Sequence, residues 1–259
     1  MAGEAKSIYW REFFILLVAG ILGVLAVLPY AITLLGGLPE EIPIPFPLLL
    51  FLQLMQNIVL LALAIGVGLF CARRVGLGAP ILEGWLRGEK VEDRGRAILL
   101  PSVLVGLGVG LTIILLEMAI FAPHLPSAFQ EVEPPTPWQG FLAAFYGGID
   151  EEIFLRLFVV SLLVWLLSRV WKDREGKPTS GGMWLAIIVA GLLFGLGHLP
   201  TTAQLTPLTP LIIARAVVLN GLAGLAFGYL YWKRGLESAM LSHFSADILL
   251  HVIFFPLAT

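Results

Sequence analysis

The sequence predicts an all-α protein, a polytopic bundle of about seven transmembrane helices with its N-terminus on the cytoplasmic side. Three observations lead there: composition, the length of the apolar runs, and the placement of basic residues. Of the 259 residues, 58% are hydrophobic and only 13% charged, about half the usual charged fraction of roughly 25%. Mean hydropathy is +0.93. A soluble fold of this length needs a charged exterior, so lipid must serve as the solvent. The net charge of −2 argues against nucleic acid as a partner. One cysteine, Cys71, forms no internal disulfide and reads as a small apolar residue at a helix end.

Runs of roughly 20 apolar residues are long enough to cross the hydrocarbon core as helix. Seven are read, at about 12–35, 46–72, 97–122, 138–168, 182–199, 207–232 and 235–255. Strands are excluded because open sheet edges are not tolerated in lipid. Lys6 and Arg11 before the first run mimic a signal peptide, but the run is too long and no A-x-A-like site follows it. Lys6, Arg11, the six basic residues from Arg73 to Arg96, the four from Arg169 to Lys177, and Lys233 with Arg234 all fall on one side of this topology. Only Arg156 and Arg215 lie inside spans. Two loops of the other side carry acidic charges alone, at Glu40, Glu41, Glu131 and Glu133. That is the positive-inside pattern, and it puts the C-terminus outside. The loop at 75–96 mixes both signs and reads as an amphipathic stretch at the interface. Pro134, Pro135 and Pro137 mark extended backbone before the fourth span, and Pro200, Pro207 and Pro210 interrupt the link between the fifth and sixth. The whole chain, 1–259, reads as one membrane domain without repeats.

Ionisable groups inside a span cost several kcal/mol unless paired or hydrated, roughly 3 by insertion scales, so each is a candidate for function. The fourth span contains Asp150-Glu151-Glu152-Ile153-Phe154-Leu155-Arg156. Glu152 and Arg156 are four apart and share a helix face, where they can pair. Glu151, turned by about 100°, is left free. His198 closes the fifth span. In the seventh, His243 and Asp247 share a face, among small residues (Ser238, Ala239, Ser242, Ser245, Ala246) that let neighbouring helices approach. Arg215 and Asn220 lie among Gly221, Gly224 and Gly228, and Arg215 neutralises a carboxylate in this reading. His251 reads as interfacial. A glutamate in a low dielectric is a competent general base, and two histidines polarise a carbonyl or, with acids, bind zinc. Either route points to attack of water on a peptide bond. Counting residues sets His243 nearer the cytoplasmic face than Glu151 or His198, by roughly 10 Å.

These residues resemble the CAAX-protease and bacteriocin-processing (CPBP/ABI) family of intramembrane proteases. Its E-E-x-x-x-R, F-x-x-x-H and H-x-x-x-N/D motifs correspond to Glu151-Glu152…Arg156, Phe194…His198 and His243…Asp247, in order and on separate spans. The resemblance covers roughly 138–250, and the first three spans add only hydropathy. It implies an intramembrane endopeptidase in which Glu151 and His198 activate water. His243 and Asp247 would hold the oxyanion, with Glu152 and Arg156 bracing the site. A glutamate-type mechanism without cofactor is favoured over a zinc metalloprotease, since the compact H-E-x-x-H spacing is missing. If zinc is used, Glu151, His198, His243 and Asp247 form a reasonable ligand set. Two departures stand out. Leu155 and Leu157 flank Arg156 where the family often has Phe and Gly, and Asp247 replaces the commoner Asn. The implied partners are the bilayer and a membrane-associated peptide or protein, lipidated or not, and the implied location is a plasma or ER-type membrane. Two other readings stay open: a non-catalytic scaffold or immunity protein on the same fold, and a proton-coupled transporter.

Overall fold

A computed structural model describes residues 2–37, 44–125 and 135–254, with side chains from Ile8 onward. Glu40, Glu41, Glu131, Glu133, Pro134, the side chain of Lys6 and the last residue of the seventh expected span lie outside the described residues. Helices dominate, and five are long and apolar enough to cross a membrane: Ile8–Leu34, Phe46–Val75, Glu92–His124, Ser180–Leu205 and Pro210–Arg234. They coincide with the first, second, third, fifth and sixth expected spans.

In chain order the elements begin with α1 (Ala2–Leu34), α2 (Phe46–Val75), the short α3 (Pro80–Leu86) and α4 (Glu92–Leu116). Local chemistry sets their ends. Proline, which lacks the N–H that a first turn leaves unused, opens α2 and α3. Gly76 ends α2 in the left-handed region (φ 73°), its N–H returning to the Ala72 carbonyl. Within the mixed-charge loop, α3 buries Gly84 and Leu86 and leaves Trp85 exposed. The Glu237 carboxylate accepts from the N–H groups of Ile81 and Leu82 and caps α3 from across the chain.

The two remaining expected spans are composite helices. One consists of α5 (Pro137–Tyr146), wide π turns at Gly147–Glu151 and Ile153–Val160, and α6 (Ser161–Leu167). Its start is a capping box between Thr136 and Gln139. Then follow α7 (Ser180–Gly197), α8 (Leu199–Leu205) and α9 (Pro210–Arg234). The second composite is α10 (Leu236–Asp247) continued as a π turn, Ile248–Phe254. Both composites carry the ionisable motifs, and π turns inside helices concentrate at functional sites.

Close packing at glycines brings these elements together. A Cβ on Gly224 would collide with Gly191, one on Gly195 with Val217, and one on Gly228 with Ile187, so α7 and α9 touch backbone to backbone. A Cβ on Gly106 would strike the Ser242 carbonyl, and Ser102 and Ser238 share a 2.7 Å hydrogen bond, which docks α4 on α10. The small residues of α10 serve the packing expected of them, and from Ser238 to Asp247 most are buried. Large apolar side chains such as Phe14, Leu22, Leu63 and Leu100 stay exposed, as a lipid-facing exterior requires.

Candidate active site

The motif residues converge where α5 and its π turns, α7, α9 and α10 meet. Glu152 is fully buried. Its Oε1 lies 3.1 Å from Arg156 Nη1 and 2.7 Å from His243 Nδ1. The expected Glu152–Arg156 pair therefore forms, and one carboxylate oxygen serves two cation-type partners. Arg156, 1% exposed, also reaches the Gly224 carbonyl at 3.4 Å and lies over the rings of Phe194 and Phe227.

Glu151 takes the other side. Its side chain keeps 21% exposure, and its Oε2 lies 3.5 Å from His243 Nε2. Asp247 Oδ1 lies 3.7 Å from the same nitrogen. Since a carboxylate only accepts, the His243 Nδ1 proton points at Glu152, and Nε2 is the nitrogen turned to Glu151 and Asp247. The ring stacks on Phe227 at 4.7 Å and meets Phe194 edge-on at 5.7 Å.

Counting residues sets His243 nearer the cytoplasmic face than Glu151 by roughly 10 Å. The 3.5 Å approach closes that gap. Two π turns occupy the fourth span, one ending at Glu151 and the other starting at Ile153, so the motif glutamates sit where the helix departs from α geometry. Gly147 and Gly148 complete the approach: a Cβ on Gly147 would overlap the Asp247 carboxylate, and one on Gly148 would press on Phe244.

His198 sits at the joint between α7 and α8, with φ −82° and ψ −16°. Its Nδ1 donates to the Phe194 carbonyl at 2.8 Å, which leaves Nε2 with the lone pair. The Phe194 ring touches both histidines, at 4.9 Å from His198 and 5.7 Å from His243. None of these contacts joins His198 directly to a carboxylate, so the structure assembles Glu151, Glu152, Arg156, His243 and Asp247 as one cluster with His198 at its edge.

Several placements differ from the expectations. His251 is not merely interfacial: its Nε2 lies 3.9 Å from Asp247 Oδ1 and its Nδ1 3.0 Å from the Tyr30 hydroxyl. Its spacing of four from Asp247 was the available signal. Arg215 does neutralise a carboxylate, but that of Glu117 on the third span, at 2.7 Å. The first span contributes more than hydropathy. Besides Tyr30 it offers Gly20 and Gly23 to Asp150, whose buried carboxyl has no hydrogen-bond partner among the described residues. Among the described residues no three His, Cys, Asp or Glu side chains are arranged to hold a metal ion.

Residues 133–249 match the family described as type II CAAX prenyl endopeptidase Rce1-like. This part of the chain is Rce1-like. The match takes in the first composite helix, α10 of the second and every motif residue from Glu151 to Asp247, and it agrees with the resemblance read from the motifs. The family implies, in general terms, a CAAX-type intramembrane endopeptidase, a peptide hydrolase working within the bilayer on membrane-associated substrates. Tyr30 and His251 lie outside the Rce1-like segment. No curated protein and no solved structure matches the chain.

Proposed function

We propose that this protein hydrolyses a peptide bond near the C-terminus of a membrane-associated, CAAX-type substrate, with Glu151 as general base. The observation that carries this is the division of labour between adjacent glutamates. Glu152 is buried against Arg156 and His243, while Glu151 stays partly exposed and faces the free nitrogen of His243.

Water lies between Glu151 and His198 Nε2 and attacks the carbonyl carbon as Glu151 takes its proton. His243, as the imidazolium, keeps its Nδ1 proton on Glu152 and offers Nε2–H to the oxyanion, and Asp247 either donates to the same oxygen in its protonated form or, ionised, holds the ring in place. Collapse of the tetrahedral intermediate breaks the C–N bond, and the proton on Glu151 passes to the leaving amine. General base catalysis of this kind contributes roughly 10²–10⁴-fold. Each step is carried by side chains of this chain, without a metal. The site serves a single membrane domain whose N-terminus and basic loops are cytoplasmic.

The test is cleavage of a membrane-anchored, prenylated CAAX peptide and its unprenylated twin by purified protein, with and without a zinc chelator. Glu151→Gln should lose activity by at least about 10²-fold while unfolding like wild type. Activity that survives in Glu151→Gln would remove the proposed base, and activity lost to the chelator and restored by zinc would replace it with a metal mechanism.

A further inference from the structure

A concave site lies away from the Glu151–Glu152 cluster, at the end of the bundle where basic residues gather. It is a cavity of about 580 Å³ between the α2–α3 turn and the α9–α10 turn. Its walls include Arg73, Arg87, Lys233 and Arg234 against a single carboxylate, Glu83, with Trp232 beside them. The cavity exists because the turns are built from glycines with positive φ: Gly76 at 73°, Gly78 at 143° and Gly235 at 96°. The two turns are also tied together. Leu236 donates its N–H to the Gly78 carbonyl at 2.9 Å, and a Cβ on Gly235 would collide with Pro80.

The charges of this cavity do not cancel. Glu83 is shared, at 3.1 Å from Arg87 and 3.8 Å from Arg73; Arg73 is held further by the buried Glu12 at 2.6 Å and Arg87 by Glu89 at 3.8 Å. Lys233 and Arg234 have no carboxylate within 4.0 Å among the described residues. Lys233 lies 3.5 Å from the centre of the Trp232 ring, and Arg234 donates to the Ala97 carbonyl at 3.2 Å. Neither contact consumes the charge. Exposed Trp85 on α3 puts this level at the membrane interface, where indole rings concentrate and where lipid phosphates lie. Basic pockets between transmembrane helices at that depth take anionic headgroups.

We propose that this cavity binds a phosphate group, Lys233 and Arg234 supplying the charge and Arg87 a third contact, and that an anionic membrane lipid carries it. Guanidinium and ammonium donors suit phosphate oxygens, and the cavity has the size of an ordinary ligand site, roughly 300–1,000 Å³.

Purified full-length protein in phosphatidylcholine nanodiscs, with increasing phosphatidylglycerol, tests this by native mass spectrometry of retained lipid and by Trp232-sensitive fluorescence. Inorganic phosphate is titrated in a parallel arm. Wild type should retain phosphatidylglycerol saturably, and the Lys233→Gln/Arg234→Gln double variant should bind it roughly 30-fold more weakly, about one surface charge's attraction per residue removed. Arg174→Gln/Lys177→Gln, basic residues of a separate loop, should bind like wild type. Arg87→Gln, whose side chain is half exposed, gives a second weakened variant should the double one fail to fold. Saturation by inorganic phosphate alone, with the same variant sensitivity, would support the site and identify free phosphate as its source. Equal retention by wild type and every cavity variant, or no saturable binding of either ligand, overturns the proposal.

Discussion

Replacing Arg156 with methionine tests the centre of the site most sharply. The guanidinium is 1% exposed and neutralises Glu152, which is itself fully buried and also holds His243. Removing one partner of a buried ion pair leaves the other uncompensated, a loss of about 3–5 kcal/mol. The two phenyl rings at 5.3 and 5.5 Å add cation–π attraction, about 0.5–2 kcal/mol each, which the flexible thioether recovers in part. The opposing consideration is that hydrogen bonds between membrane helices average only about 0.6 kcal/mol, because polar groups find other partners in the unfolded chain. That average describes ordinary polar pairs, whereas the fully buried Glu152 would be left with His243 as its one remaining partner among the described residues. A loss of about 3 kcal/mol is therefore expected, a large share of the roughly 5–15 kcal/mol that holds a domain folded. Equilibrium unfolding in mixed micelles measures it. Glu152→Gln removes the stranded charge, so the Glu152→Gln/Arg156→Met double variant should be more stable than the sum of the singles predicts, by more than about 1 kcal/mol. A loss below about 1 kcal/mol for Arg156→Met, or strict additivity in the cycle, would refute the claim that this pair is the buried brace of the site.

Three further outcomes follow from particular contacts. Gly147→Ala should abolish cleavage, because the new methyl overlaps the Asp247 carboxylate; unfolding should worsen by about 1–3 kcal/mol, and cleavage at the wild-type rate would show that Asp247 is free to move. Asp247→Asn restores the amide that the family more often has and should retain cleavage within about tenfold, whereas Asp247→Ala should lose about 10²–10³-fold if this side chain serves the oxyanion; equal rates for the two variants would remove that role. Glu237→Ala strips the cap from α3 and should cost about 1–2 kcal/mol, read as faster hydrogen exchange at the amides of Ile81 and Leu82, which donate to it now; unchanged exchange at both would mean the cap does not hold α3.

The membrane class, five of the spans and the identity of the motif residues were determined by sequence alone, because hydropathy over roughly 20 residues is a one-dimensional property. The pair Glu152–Arg156 was legible for the same reason, as a spacing of four on one helix face is local. Depth was not legible. Counting at the α-helical rise sets His243 nearer the cytoplasmic face than Glu151 by roughly 10 Å, whereas the packed helices hold the two side chains 3.5 Å apart. Nor could the chain announce that α1 supplies Tyr30 and a glycine face for Asp150, or that Glu117 takes Arg215, since these partners stand about 100 residues or more apart. The sequence thus names the chemical groups and the solvent they live in. Tertiary structure decides which nitrogen of His243 each of the two glutamates meets, because that depends on distances between helices, and packing at glycines sets those distances.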